Sequence, residues 1–427
     1  MRRELLIVVV VIFFIAWFAG SRLPQLAAIV LNAAVLIHFE LATLRRLILT
    51  ISATLRDDRP PRVAPDAWPK LTVLVPCRNE EAVLPDTLSA WEAVEYPRAR
   101  LQVIFIDDAS DDGTGELLSS FARQWPWAQV LRLDAPSGAK GAALHAGLDA
   151  AAPSEAVAVF DADARPRPEC LQWLAAHLGN PAAAAVAGRM IPDDHRGAAA
   201  VYSALESSVH QRITLTGASR IGATVPLLGS AYLVRRPLLD ALGFSPDHRL
   251  EDIDLSVRLL ERNFRIIFEP LAICDHRPPA NVGALMRQRT AWSRGFHRIV
   301  REHALLLINH ADGGLLAIDR ALFAAGYLDR LSFLCGVALA VLDATVWPAL
   351  WMPWWAPVIY AGVIAAQIPL ALFLDNWPGR KVLRLLPALG LVLADLLTET
   401  VAALADAIGL PQRWTKTARA GEEPGDG

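Results

Sequence analysis

Apolar stretches free of charge lie at the two ends of this chain and not in its middle, and that distribution constrains the fold more than any single motif. Residues 5–20 and 23–39 carry almost no formal charge, with Gly20, Ser21 and Arg22 at their junction. Each is close to the roughly 17-residue minimum for crossing a bilayer, so together they predict a helical hairpin over residues 1–56. A signal peptide is the alternative for the first stretch, but it leaves the second without a role. Arg2 and Arg3 on one flank and Arg45, Arg46 and Arg56 on the other predict that both flanks face the cytoplasm.

The far end repeats the pattern. Residues 331–347 form one apolar run broken only by Asp343, and residues 357–374 form a second with no charge. Trp347, Trp351, Trp354 and Trp355 lie between them as an interfacial aromatic cluster, and Arg380, Lys381 and Arg384 follow, which reads as an out-and-back pair of spans. Residues 385–410 are long enough to cross, yet carry Asp395, Glu399 and Asp406 within about 40° on a helical wheel. That stripe predicts an interfacial or re-entrant helix facing protein or water, with a third crossing as the alternative. The 427 residues are 54% hydrophobic and 20% charged, too apolar for an ordinary soluble enzyme. A net charge of −3 gives no field for a nucleic-acid partner. Cys77, Cys170, Cys274 and Cys335 are too scattered for a zinc site or disulfide framework.

Between the ends, residues 57–69 are rich in proline and polar groups and read as a linker. Residues 70–310 then alternate short apolar runs, at 71–75, 102–106, 130–133 and 156–160, with helical patterns. Strands alternating with helices predict an α/β domain around a parallel sheet. Residues 311–420 make up the C-terminal transmembrane or interfacial helices, and residues 421–427 a tail.

In open α/β sheets ligands bind beyond the carboxyl ends of the strands, and here those ends are acidic. The first is followed by Pro76-Cys77-Arg78-Asn79-Glu80-Glu81, the second by Asp107-Asp108-Ala109-Ser110-Asp111-Asp112, and the fourth by Asp161-Ala162-Asp163. Any one alone suits a helix cap or turn. Three on one sheet edge repel each other unless a cation or donor sits among them. Asp161 and Asp163, two apart on an extended segment, can both serve a hard divalent cation, Mg²⁺ or Mn²⁺, holding a diphosphate. Glu251 and Asp252 open a helical pattern, either as first-turn acids that complement the helix dipole or as the source of a general base.

This order of motifs, over residues 70 to about 300, resembles the membrane-integrated inverting glycosyltransferases of family 2, which include cellulose, hyaluronan and poly-N-acetylglucosamine synthases and several glycolipid synthases. The resemblance implies a GT-A fold, an α/β Rossmann-like domain flanked by transmembrane helices. It implies that Asn79, Glu80, Asp107, Asp108, Lys140 and Asp161 bind the nucleotide-sugar, and that Asp161 and Asp163 hold the metal. Gly229 and Ser230 correspond to the acceptor-side Gly-Ser, and Glu251-Asp252 to the pair whose aspartate is the catalytic base. His145 stands where the lysine motif usually has asparagine. Processive members carry Gln-x-x-Arg-Trp; here Gln288-Arg289-Thr290-Ala291-Trp292 keeps Gln288 and Trp292 but has Ala291 at the arginine position. Arg289 or Arg294 can supply that charge near the diphosphate, or the arginines of 287–301 simply form a cationic face on the membrane. Trp414-Thr415-Lys416-Thr417 resembles a short C-terminal motif of related synthases.

The resulting expectation is transfer of a hexose from a nucleotide-diphospho-sugar, a UDP-sugar, to a lipid or glycan acceptor at an inner or plasma membrane, with the catalytic domain cytoplasmic. The alternatives are a processive β-polysaccharide synthase and a non-catalytic nucleotide-sugar-binding membrane subunit.

Overall fold

The computed structural model describes residues 22–55, 68–193, 197–345, 353–377 and 385–410. The first apolar stretch with Arg2 and Arg3, Arg56, most of the linker, Trp347 and Trp351, the cations at 380–384, the 414–417 motif and the tail lie outside the described residues.

Eight strands form one sheet: β1 (Leu71–Cys77), β2 (Leu101–Asp107), β3 (Ala128–Arg132), β4 (Ala156–Val159), β5 (Arg165–Pro166), β6 (Ala183–Pro192), β7 (Tyr232–Arg235) and β8 (Arg265–His276), in the spatial order 3-2-1-4-7-6-8-5. The four apolar runs read from sequence are β1 to β4. All four are parallel, with Leu71 opposite both Leu101 and Ala156. The sheet is mostly parallel, as expected, and β6 and β8 also run parallel; the exceptions lie beyond β4. There β7 runs antiparallel to both β4 and β6, and β5 antiparallel to β8, so the sheet is mixed. This reversal brings the start of β7, not its end, to the acidic edge, because Tyr232 pairs with Val159 just before Asp161.

The central strands are continuous apolar runs because both faces are covered. On one face α2 (Leu84–Glu92), α3 (Thr114–Gln124) and α5 (Cys170–Ala176) bury Trp91, Leu118 and Leu174 against Val73, Phe105 and Ala158. On the other, α4 (Lys140–Ala150) and α9 (Glu251–Leu260) bury Leu144, Leu255 and Leu259 against Leu74, Ile104 and Val157. The remaining helices are α1 (Arg22–Thr54), α6 (Gly197–Ser207), α7 (Thr216–Ile221), α8 (Arg236–Leu242), α10 (Val282–Asn309), α11 (Gly314–Ala325), α12 (Leu328–Thr345), α13 (Trp355–Leu374) and α14 (Leu385–Ala407). A π-helical segment, Ser208–Leu215, joins α6 to α7. All four cysteines are free thiols, three of them buried.

By length and composition, two described helices can cross a membrane, at Trp355–Leu374 and Ala388–Asp406; α11 and α12, which meet at 81°, qualify only as a pair. The acidic stripe of α14 faces protein, as its spacing requires. Asp395 accepts from the Tyr202 hydroxyl at 2.7 Å, Glu399 from Arg330 at 2.5 Å, and Asp406 lies 3.1 Å from Arg301. Arg45 and Arg46 also pair internally, with Asp319 at 2.6 Å and Asp329 at 3.3 Å.

The long helix α1 is locked to the α/β domain. Ser52 donates to the Gly217 carbonyl at 3.1 Å, and Arg220 donates to the carbonyls of Ser52, Ala53 and Leu55 at 2.7–2.8 Å, satisfying the helix end. A Cβ on Gly217 would stand 2.0 Å from the Leu49 carbonyl oxygen, a contact that only glycine permits. Gly217→Val is therefore expected to lower stability by about 1–3 kcal/mol through forced separation of the two helices, read as a lower thermal transition in detergent.

Candidate active site

Four chain segments meet around one ammonium group. Lys140 is the first residue of α4, and its Nζ lies 2.6 Å from Asp161 Oδ1, 2.8 Å from Glu251 Oε1 and 2.6 Å from the Gly229 carbonyl. Local chemistry puts each partner in place. Gly138, with φ +82°, turns the chain into α4, and Gly141 lets its first turn approach the 245 loop, where a Cβ would sit 2.1 Å from the Ser245 oxygen. Gly229 and Ala231 both adopt left-handed backbone, at φ +73° and +53°. The alanine there is strained. Between them Ser230 Oγ accepts from the Asp161 amide at 2.9 Å, fixing the loop of β7 to the end of β4.

Asp252 shares this enclosure, since a Cβ on Gly229 would stand 3.6 Å from its Oδ2. Burial, and then the Glu251 carboxylate beside it, push the Asp252 carboxyl up to about 7 against the pull of Lys140. Burial likewise raises Glu251, with Lys140 opposing. Burial works against the Lys140 ammonium, but Asp161 and Glu251 outweigh it and its pKa stands above the ordinary lysine value. The first turn of α9 thus holds a nearly neutral-range carboxyl next to an acid in direct contact with the Lys140 ammonium.

Asp161 keeps about a third of its side chain exposed, whereas Asp163 is buried on the same chain reversal, closed by the Ala164 amide donating to the Asp161 carbonyl at 3.0 Å. Two hard carboxylate oxygens fit a divalent cation that takes its other ligands from phosphate and water. No cluster of three or more His, Cys, Asp or Glu residues suited to a metal occurs among the described residues.

The other strand-end residues organise the neighbouring loops. Asp107 is fully buried, accepting from the Ser110 amide at 2.9 Å and lying 3.1 Å from Arg132. Asp108 accepts from both the amide and hydroxyl of Ser137, at 2.6 and 2.9 Å, and so tethers the turn that leads to Lys140. Asn79, at φ +52°, accepts from the Asp111 amide at 3.1 Å, and the Glu80 amide donates to Thr114 Oγ1 at 2.8 Å. These contacts stitch the ends of β1 and β2 together.

The Gln288-to-Trp292 segment lies on α10, which is pressed against α9: a Cβ on Gly295 would meet Leu250 at 2.8 Å. Trp292, one turn earlier, is exposed, and Gln288 is half-buried. Arg289 is not part of the Lys140 cluster. It is buried, ion-paired with Glu206, 3.9 Å from Asp395, and its guanidinium covers the Trp292 ring at 4.5 Å. Two contributors escaped the sequence reading. Tyr232 is fully buried on β7 with a hydroxyl that has no partner among the described residues, close enough to Glu251, Asp252 and Asp161 for their charges to add to the effect of burial in raising its pKa. No local signal in the sequence marks it, because the left-handed Ala231 breaks the alternation between Ser230 and Tyr232. Ser137 was signalled only by its place in a Ser-Gly turn before the lysine.

Comparison with known proteins identifies the family and the fold. Residues 69–295 match the profile described as "Glycosyltransferase like family 2". The probable glycosyltransferase YdaM of Bacillus subtilis is 30% identical over 237 residues, covering 54% of this chain and 56% of that protein. The beta-monoglucosyldiacylglycerol synthase of Synechocystis is 29% identical over 251 residues, covering 56% and 51%. The chain spans about half the length of these curated relatives. A mannosyltransferase from Pyrobaculum calidifontis, solved with GDP-Man and Mn²⁺, has the same GT-A fold, with a TM-score of 0.59 over 90% of this chain and 99% of that one at 24% identity.

The raised Asp252 pKa has a stability consequence. The folded form holds its proton more tightly than the unfolded chain, so the associated stability is complete below about pH 4 and is lost as pH rises through about 7. Asp252→Asn is expected to raise the thermal transition relative to the native chain at pH 8, by the equivalent of a few kcal/mol at most, and to lose most of that advantage at pH 5.

Proposed function

The chain belongs to glycosyltransferase family 2, and from that premise we propose that it moves a hexose from a nucleotide-diphospho-sugar, a UDP-sugar, to a lipid or lipid-linked acceptor at the membrane surface, inverting the anomeric centre. The observation that carries this reading is the convergence of Lys140, Asp161, Gly229, Glu251 and Asp252 at one sheet edge.

In this reading the nucleotide lies over the ends of β1 and β2, beside Asn79, Glu80, Asp107 and Asp108. Asp161 and Asp163 would hold a divalent cation, Mg²⁺ or Mn²⁺, which when bound would supply Lewis-acid neutralisation of the diphosphate. Lys140 adds its own charge to the leaving group. Arg289 does not share that task, because Glu206 and Asp395 already engage it. Asp252 accepts the proton of the acceptor hydroxyl, and a carboxyl near 7 is matched to doing so at neutral pH. Gly229, lacking a side chain, leaves room in front of Asp252, and Ser230 holds that loop on Asp161. The exposed Trp292 ring, one turn from the Leu250 contact, offers a face for an acceptor sugar. A single transfer is favoured over processive extrusion by Ala291, which removes an arginine from the processive motif. The apolar helices α13 and α14 support a membrane location with the acceptor arriving from the lipid side.

The test is incubation of the detergent-solubilised protein with UDP-glucose, UDP-galactose or UDP-N-acetylglucosamine, Mn²⁺ or Mg²⁺, and a membrane lipid extract, with products followed by mass spectrometry. One sugar added to a lipid is expected, with the rate reduced about 10²–10⁴-fold in Asp252→Asn. A ladder of products supports the polymer synthase instead, and donor binding without turnover supports a non-catalytic subunit. The rate should rise with pH through about 7, as Asp252 loses its proton. In Glu251→Gln that rise should move to lower pH, because a neighbouring negative charge is removed.

A further inference from the structure

An ammonium group has three N–H donors, and Lys140 directs all of them at protein oxygens: Asp161 Oδ1, Glu251 Oε1 and the Gly229 carbonyl, at 2.6, 2.8 and 2.6 Å. Asp161 is also the more exposed of the two carboxylates that fit a divalent cation. One carboxylate cannot serve a lysine ammonium at 2.6 Å and a divalent ion without bringing two like charges together. The backbone on either side of Lys140 is pinned, by Asp108 on Ser137 and by the Gly141 approach to Ser245, so any release is a movement of the side chain alone.

We propose that Lys140 is a resident counter-ion that competes with the divalent metal for Asp161. In the free protein it neutralises the paired acids Asp161 and Glu251 and keeps metal affinity low. When a nucleoside diphosphate arrives, its oxygens give the ammonium a new anionic partner, Asp161 is released, and metal and nucleotide bind cooperatively. This rests on the glycosyltransferase reading for the identity of the nucleotide, but the competition itself is a property of Lys140 and Asp161. Its consequence is order: metal is held firmly only once a donor is present, so the acidic edge does not retain a cation between turnovers.

The probe is Mn²⁺ alone, titrated into the full-length protein in detergent and followed by electron paramagnetic resonance or calorimetry, with no sugar or acceptor present. Lys140→Gln and Lys140→Met are expected to bind Mn²⁺ about tenfold or more tightly than the native chain. Lys140→Arg, which keeps the charge, should stay weak, and adding Asp161→Asn to Lys140→Gln should abolish the gain. Addition of UDP should tighten Mn²⁺ binding more in the native protein than in Lys140→Gln, since the variant has no lysine to displace. A lysine that merely supports the structure would weaken metal binding in all three single variants. That result, equal affinities, tightening in Lys140→Arg, or no Mn²⁺ binding in any of them overturns the proposal. Failure here leaves sugar transfer as the established assay reads it, and failure of transfer leaves the Mn²⁺ result standing.

Discussion

Desolvated negative charge at the sheet edge is the constraint around which this protein is arranged. Three carboxylates, Asp161, Glu251 and Asp252, gather at the Lys140 ammonium, all but Asp161 buried. Such a group is tolerable only with a cation inside it. Lys140 provides one, and the details that look incidental in the sequence follow from its placement. Gly141 lets α4 start close to the 245 loop, Asp108 holds the turn before it, and the strained Ala231 and left-handed Gly229 deliver a carbonyl oxygen to the same nitrogen. With Glu251 in direct contact with the lysine and Asp252 one residue further on, the two neighbouring acids differ in how closely the cation compensates them.

The half of the sheet that obeys simple periodicity was legible from residues alone. β1, β2 and β4 are mostly Val, Leu, Ile, Phe and Ala because helices cover both faces, β3 at the sheet edge is half-exposed, and the polar strand ends follow directly. The other half was not. β6, Ala183–Pro192, is rich in alanine and glycine and carries no β-branched signature beyond Val186 and Ile191. It is a strand because Gly188 permits close approach to the Ala231 and Ala272 carbonyls, a tertiary fact no local pattern contains. The antiparallel entry of β7 was equally hidden, and with it the reason Gly229-Ser230 reaches Asp161. Among site residues, Lys140, Asp161 and Asp252 had both motif and geometry. Tyr232 had neither a charge nor a motif to mark it. Arg289 showed how a correct residue type in a plausible place can be engaged elsewhere once the chain folds.

The second concentration of charge lies where the α/β domain meets the apolar helices. Arg46 and Arg330 share Asp329, Arg330 also holds Glu399, and Tyr360 donates to Asp329 at 2.8 Å. Arginine suits this role because its several donors engage two carboxylates at once. The network makes α14 amphipathic in a sense hydropathy does not capture: its polar stripe is matched residue by residue by α6, α10 and α12, leaving Leu393, Leu397, Val401 and Leu404 exposed. Those faces are suited to lipid contact.

The seam between α1 and α7 bears on how this catalytic unit can be handled in isolation. Leu49 belongs to the same extended apolar cluster as Leu74, Val157 and Leu255, which α1 meets at α7. Cutting the chain ahead of residue 70 to obtain a freely soluble fragment would remove Leu49 from that cluster and leave a groove at Gly217 with nothing to fill it. The guanidinium of Arg220 would lose the three carbonyls it now caps. The long helix is in that sense an internal part of the enzyme's core, not a leash, and any dissection of the protein has to carry its last turns along.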